Sequence, residues 1–283
     1  MPKIARTERR RGVRLALTQR DAHLLRVLNR FRLARTGEVA AVVFPDVHVH
    51  TVSRRLRRLY DASYLAVTAP DRASENVYAV GPRGRAWLRE HGIAPNSAPR
   101  GSVRHHLGCV QAWVQVAAAV GRMPNVVLER VAPHWELQEA SVPPLLVPDL
   151  LCAIALRQPD GATARLQLAV EVDCGTESHT VLVGKCRRYQ HALQESTPGE
   201  AAALVLGIAL SGVGERRKES VVRVLEREGV RAMVWMEQEG PSHALESLIE
   251  CCSGVLLRDS RRGPASDDAA RRRLMSSTGS LGI

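Results

Sequence analysis

Apolar positions recur at helical spacing through the first third of the chain, then give way to short, nearly continuous apolar runs. Leu24, Leu25, Val27, Leu28 and Phe31 mark one helical face. Thr18 stands before them as an N-cap, with Asp21 three residues on as its capping-box partner, which predicts a helix from Thr18 to about Ala34. Thr36 is expected to cap a second, short helix to Val43, broken by Phe44-Pro45-Asp46. Between His50 and Asp61, Val52, Leu56 and Leu59 share an inward face, and Arg54, Arg55, Arg57 and Arg58 are expected to face outward. Residues 64–67 and 76–80 read as two strands joined by a polar turn, and residues 82–91 as a closing helix. Helix, helix, arginine-rich helix, hairpin, helix is the layout of a winged helix-turn-helix, whose third helix enters the major groove.

From Val103 the pattern changes. Residues 103–120 predict a helix rich in small apolar residues. Strands are expected over 126–131, 146–156 and 165–173, the last two joined at Gln158-Pro159-Asp160-Gly161. A helix over 177–194, a buried strand over 202–210, a helix over 215–228, a strand over 231–236 and a helix over 243–252 follow. The order α-β-β-β-α-β-α-β is that of a mixed α/β layer fold.

Charge separates the two halves. Residues 1–100 hold 20 of the 40 Lys and Arg but 8 of the 29 Asp and Glu, so the whole positive excess lies in the first third. Such a localised field favours phosphate backbones through counterion release. No amphipathic or spanning helix accompanies it, which argues against a membrane partner. Four arginines within five positions, with no acid among them, are more than a solvated helix face requires. With Thr51 and Ser53 they form the expected reading surface for double-stranded DNA. A homodimer reading paired half-sites is a further expectation. The start, Met-Pro-Lys-Ile-Ala-Arg, lacks an apolar signal core, and the six cysteines form no CxxC pair. Reduced thiols in a cytoplasmic, nucleoid- or plasmid-associated protein are expected, with no zinc site. His105 and His106 read simply as part of a helix start. The resulting division is a basic arm at 1–14, a winged helix at 15–92, a linker at 93–102, an α/β domain at 103–256 and a tail at 257–283.

Acidic residues punctuate the α/β domain. Asp149 interrupts an apolar run, and Glu171 and Asp173 lie two apart at a strand end, so their side chains share a face. Glu177 opens the next helix, on which Lys185 and Tyr189 are four apart and share a face. Clustered carboxylates repel unless a cation or proton intervenes, and oxygen-only ligands suit Mg²⁺ or Mn²⁺. Pro148-Asp149, then Glu171-Val172-Asp173-Cys174-Gly175-Thr176-Glu177, then Lys185 and Tyr189, resemble the PD-(D/E)xK nuclease superfamily. Behind a winged helix, over about residues 15–240, the string resembles the replication-relaxation family, related to MobC-type plasmid relaxases. The resemblance implies a restriction-endonuclease-like αβββαβ domain that nicks DNA in replication or transfer. It implies Asp149, Glu171, Asp173 and Lys185 as catalytic residues, Asp149, Glu171 and Glu177 as metal ligands, and Tyr189 behind them. It departs from the nuclease pattern at Asp173, which stands where that pattern has lysine. Either Lys185 supplies the amine from the helix, or the domain is a degenerate nuclease fold in a DNA-binding regulator or replication accessory factor. A protein-interaction module, with the arginines serving an acidic partner, is the third reading.

Overall fold

The computed structural model describes residues 15–68, 75–97, 99, 101–138, 147–157, 161–195, 203–243 and 245–247. The arm at 1–14, the hairpin turn at 69–74, the Pro159-Asp160 turn and the tail at 257–283 lie outside the described residues. Met1–Leu245 forms one compact unit.

The first part of that unit runs α1 (Gln19–Phe31), β1 (Ala34–Arg35), α2 (Thr36–Val43), α3 (Val49–Asp61), β2 (Leu65–Thr68), β3 (Val77–Val80) and α4 (Pro82–Glu90). Thr18 caps α1 as expected: its hydroxyl accepts the Asp21 N–H at 3.2 Å, and the Asp21 carboxylate accepts the Thr18 N–H at 2.6 Å. The helix ends earlier than its periodicity suggests, because Ala34 and Arg35 leave it to pair with Tyr78 and Val77 as β1. That strand also moves the cap of α2. Arg35, not Thr36, holds the N-cap position, and Glu38 accepts its backbone N–H at 2.5 Å. The three strands form an antiparallel sheet in the order β1-β3-β2. Leu24, Leu25, Leu28, Leu56, Leu59 and Leu65 are buried beneath α1 and α3.

The second part runs α5 (Val103–Gly121), β4 (Val126–Pro133), α6 (His134–Leu137), β5 (Leu150–Arg157), β6 (Thr163–Asp173), α7 (His179–Glu195), β7 (Ala203–Leu210), α8 (Glu215–Arg227) and β8 (Ala232–Met236). The expected order holds, with the four-residue α6 inserted after β4. Of the last predicted helix, residues 243 and 245–247 are described and helical. The five strands lie in the order β4-β5-β6-β7-β8: the first three antiparallel, the last three parallel and joined by α7 and α8 as crossovers. The chain is therefore a mixed α/β protein with a mixed five-stranded sheet.

Both faces of that sheet are covered, which is why its central strands are apolar almost throughout. Val172 on β6 meets α5 at Gly108, where a β-carbon would come within 2.8 Å of Val172 Cγ1. On the opposite face Ala169, Leu206, Ile208 and Leu210 pack with Leu182, Tyr189, Val221 and Leu225 of α7 and α8. Glu171 and Asp173 alternate with Val172, so they point to the α7–α8 side.

Candidate functional site

The site lies where β5 begins and β6 ends. Leu150 pairs with Val170, which places Asp149 beside Glu171 and Val172. Asp149 Oδ2 accepts the Val172 N–H at 2.8 Å, and its Oδ1 lies 3.0 Å from His105 Nε2. Its backbone carbonyl accepts the His134 N–H at 2.9 Å. Glu171 Oε2 accepts from Lys185 Nζ at 2.7 Å and its Oε1 from the Tyr189 hydroxyl at 2.7 Å. Lys185 Nζ also donates to Glu177 at 2.5 Å. The one-turn spacing of Lys185 and Tyr189 thus lets both close on a single carboxylate.

Asp173 shares the crevice lined by Glu171, Glu177, Lys185 and Tyr189, but its oxygens are engaged elsewhere. Its Oδ1 accepts the Gly175 N–H at 2.6 Å and its Oδ2 accepts from Arg217 Nε at 2.7 Å. Gly175 has φ 77°, where a side chain is strained, and a β-carbon would meet Val213 at 2.8 Å. Arg217 also binds the Glu177 carbonyl at 3.0 Å and so ties α8 to this corner. Glu171, Glu177, Lys185 and Tyr189 form one hydrogen-bonded set, Asp149 bonds instead to His105 and the Val172 N–H, and Asp173 is the partner of Arg217.

The electrostatics follow from burial and from these pairings. Burial opposes ionisation of Asp149, but the His105 bond and charge, the Val172 N–H and the Lys185 charge outweigh it and hold its carboxyl below the ordinary range. Glu171 is raised, by burial first and then by the charge of Asp149, against the opposing pull of Lys185 and Tyr189. Burial disfavours a charged Lys185, yet the carboxylates of Glu171, Glu177 and Asp149 keep its ammonium above its usual value. His105 is raised chiefly by its bond to Asp149, then by the thiols of Cys109 and Cys174. The charges of Asp149 and Glu171 act on each other, while among the described residues the one group of three ligand atoms within 4.8 Å of one another is that of His105, Cys109 and Asp149.

In sequence His105 reads only as part of a helix start and Cys109 only as a reduced thiol, and His134 and Arg217 carry no signal. Only the four-residue spacing of His105 and Cys109 on α5 was visible beforehand, because their contacts with Asp149 span the fold.

On α3, the arginines divide. Arg54 and Arg58 are exposed, as is Thr51. Arg55 departs from the expected outward direction: its Nε lies 2.8 Å from Asp21 Oδ1 and its NH2 contacts Asp21 Oδ2. The reason is that Asp21 is wholly buried and requires a counter-charge. Arg57 turns along the helix to Asp61 at 3.0 Å, and Ser53 bonds back to the Val49 carbonyl at 2.9 Å.

Among the described residues no helix is long and apolar enough to cross a membrane. Among solved structures, the restriction endonuclease FokI bound to DNA matches at 11% identity and a TM-score of 0.28. The match covers 78% of this chain and 43% of that one, so the chain spans less than half of its length. No curated protein matches. The replication-relaxation family model matches residues 25–204, from within α1 to the start of β7, a stretch that includes Asp149, Glu171, Asp173, Glu177, Lys185 and Tyr189. The chain belongs to the replication-relaxation family.

Proposed function

We propose that this protein binds double-stranded DNA of a plasmid or mobile element through its basic N-terminal part and nicks it with a metal-dependent, nuclease-like site. The observation that carries the reading is the half-buried set of Asp149 and Glu171 at the strand ends with Lys185 on α7, in a chain whose α3 exposes Arg54 and Arg58. The order of the N-terminal elements supports a winged helix-turn-helix, in which α3 would be the recognition helix.

Asp149 and Glu171 would hold Mg²⁺ or Mn²⁺, with Glu177 as a further oxygen donor. Bound there, the ion supplies Lewis-acid stabilisation of the scissile phosphate and acidifies a water. The protein's own groups prepare the place. The Val172 N–H and His105 fix the rotation of the Asp149 carboxylate, and the Tyr189 hydroxyl and Lys185 fix that of Glu171. Lys185 carries an ammonium on α7, which supports it as the amine missing from position 173. Asp173, held by Arg217, keeps α8 against β6.

The test is nicking of supercoiled plasmid with Mg²⁺ or Mn²⁺. The expected result is cleavage abolished by EDTA and reduced at least about a hundredfold by Asp149→Asn or Glu171→Gln. Cleavage that survives both substitutions sinks the assignment. One observation favours a second reading, a non-catalytic DNA-binding regulator: the Lys185 ammonium already bridges Glu171 and Glu177 in the place a cation would take. Under that reading calorimetry finds no Mg²⁺ or Mn²⁺ binding, while DNA binding persists.

A further inference from the structure

Next to the carboxylates lies a second set of donors of different chemistry. His105 and Cys109 stand one turn apart on α5, and Asp149 comes from the loop before β5. One ligand atom from each, an imidazole nitrogen, a thiol sulfur and a carboxylate oxygen, lies within 4.8 Å of the others. The Cys174 thiol, just past the end of β6, acts with Cys109 to raise the same imidazole. His134 opens α6 on the other side. Its Nδ1 is buried without a hydrogen bond, and the Asp149 Oδ1 is 3.9 Å away. Cys109 is fully buried and Cys174 is 4% exposed.

Three explanations compete for this arrangement. A nucleophilic Cys-His-Asp triad has the right order of groups. It fails because Cys109 is sealed from substrate and burial pushes its thiol up to about 11. A packed core polar cluster leaves His134 Nδ1 buried and without a hydrogen bond, which costs free energy with no return. A metal takes a buried thiol as thiolate, gives the converging nitrogen, sulfur and oxygen a common partner, and leaves one position open on the side of His134. Donors of mixed N, S and O type at this spacing suit a borderline-soft ion in tetrahedral geometry, with bonds of ~2.0–2.3 Å, and not the six oxygens that Mg²⁺ requires.

We propose that His105, Cys109 and Asp149 bind Zn²⁺, with His134 and Cys174 flanking the remaining coordination position. This site is separate from the oxygen-only reading of Asp149 and Glu171 and does not rest on it. Asp149 is the shared residue, its Oδ1 facing His105 and its Oδ2 facing β6. The ion ties the start of α5 to the beginning of β5.

Co²⁺ serves as the spectroscopic probe in the full-length protein. The expected result is one equivalent of tightly bound Co²⁺ with a thiolate-to-cobalt charge-transfer band and tetrahedral visible bands, both displaced by Zn²⁺. Cys109→Ala is expected to remove the charge-transfer band, and Cys152→Ala and Cys186→Ala to retain it. Because a change at buried Cys109 can impair folding, His105→Gln is the second variant. With native circular dichroism, it is expected to weaken Co²⁺ binding at least about tenfold. Glu171→Gln is expected to leave the band intact, so loss of nicking with an intact band separates the two sites. The proposal is overturned by the absence of the band in the native protein, by its persistence in Cys109→Ala, or by unchanged affinity in folded His105→Gln.

Discussion

Single residues set both the stability of this fold and its surface chemistry. Asp21 is the clearest instance: it closes the Thr18 capping box and pairs with Arg55 while itself wholly buried. Arg55→Ala strands that charge, and the expected loss is about 2–4 kcal/mol in a denaturant titration. Among the described residues Arg54 and Arg58 have no buried partner, so Arg54→Ala and Arg58→Ala are expected to leave stability within about 0.5 kcal/mol and to lower the salt slope of DNA binding by about 1 each. A reversed result, with Arg54 and Arg58 structural and Arg55 dispensable, sinks this division. His106 predicts a pH dependence. It is 4% exposed, donates from Nε2 to the Phe31 carbonyl at 2.6 Å, and stacks on Trp135. Burial lowers its pKa from 6.5 to about 4, so the unfolded chain binds the extra proton first. Its contribution is therefore complete above pH 6.5 and is lost as pH falls toward 4, at most about 3 kcal/mol. Glu38 works in the opposite sense. Burial raises it from 4.5 to about 7, so its contribution is lost as pH rises across that interval. The two windows overlap, and the informative measurement is the difference between wild type and His106→Gln from pH 4 to 7. A flat difference removes the claim for His106.

Elements, by contrast, are positioned by packing that spans long stretches of sequence, and α5 illustrates it. The helix approaches β6 closely because Gly108 has no side chain against Val172 and Ser211. Gly108→Ala gains up to about 1 kcal/mol of helix propensity but forces a 2.8 Å contact, and a net loss of about 1–3 kcal/mol is expected in thermal unfolding. Because α5 also carries His105 and Cys109, the same variant is expected to weaken Co²⁺ binding; unchanged stability and binding together would count against this account of the packing. The contrast also explains what could be read beforehand. Regular elements were legible because periodicity and caps are local: Thr18 and Asp21, the arginine-rich α3, and the α-β-β-β-α-β-α-β order are all written in neighbouring residues. β1 was missed because a two-residue strand has no period of its own and exists only through β3. Four-residue α6 escaped for the same reason. The residues joined at the site by Lys185 and Tyr189 were legible from their motif spacing. His134, Arg217 and the inward turn of Arg55 were not, because each is defined by a partner on another element.

At the scale of the whole compact unit, the basic N-terminal part and the α/β part are joined by more than the connecting chain. Residues 93–102 read as a linker, yet Ala94 and Asn96 bond back to Asn29 of α1 at 2.7–3.0 Å. Arg30 pairs with Glu136 at 2.7 Å and reaches the Val131 carbonyl, Arg35 bonds Gln111 at 2.8 Å, and the Phe31 ring meets Trp113 edge-on at 4.6 Å. His106 adds its bond to Phe31 from the first turns of α5. These contacts join α1 and β1 to β4, α5 and α6, the elements that also present His105 and His134 to Asp149. Two parts held this way lose one another's buried partners when either unfolds, which makes their unfolding cooperative. Denaturation followed by tryptophan fluorescence and by far-ultraviolet circular dichroism is therefore expected to give one coincident transition. The four tryptophans suit the purpose, since Trp87 lies on α4, Trp113 and Trp135 at the junction and Trp235 on β8. Arg30→Ala combined with His106→Ala removes partners from both sides of the junction. In that variant the fluorescence and dichroism midpoints are expected to separate, with the N-terminal elements unfolding first. Two transitions already present in the native protein would show instead that the parts are independent, and that α3 is not held in fixed relation to Asp149 and Glu171.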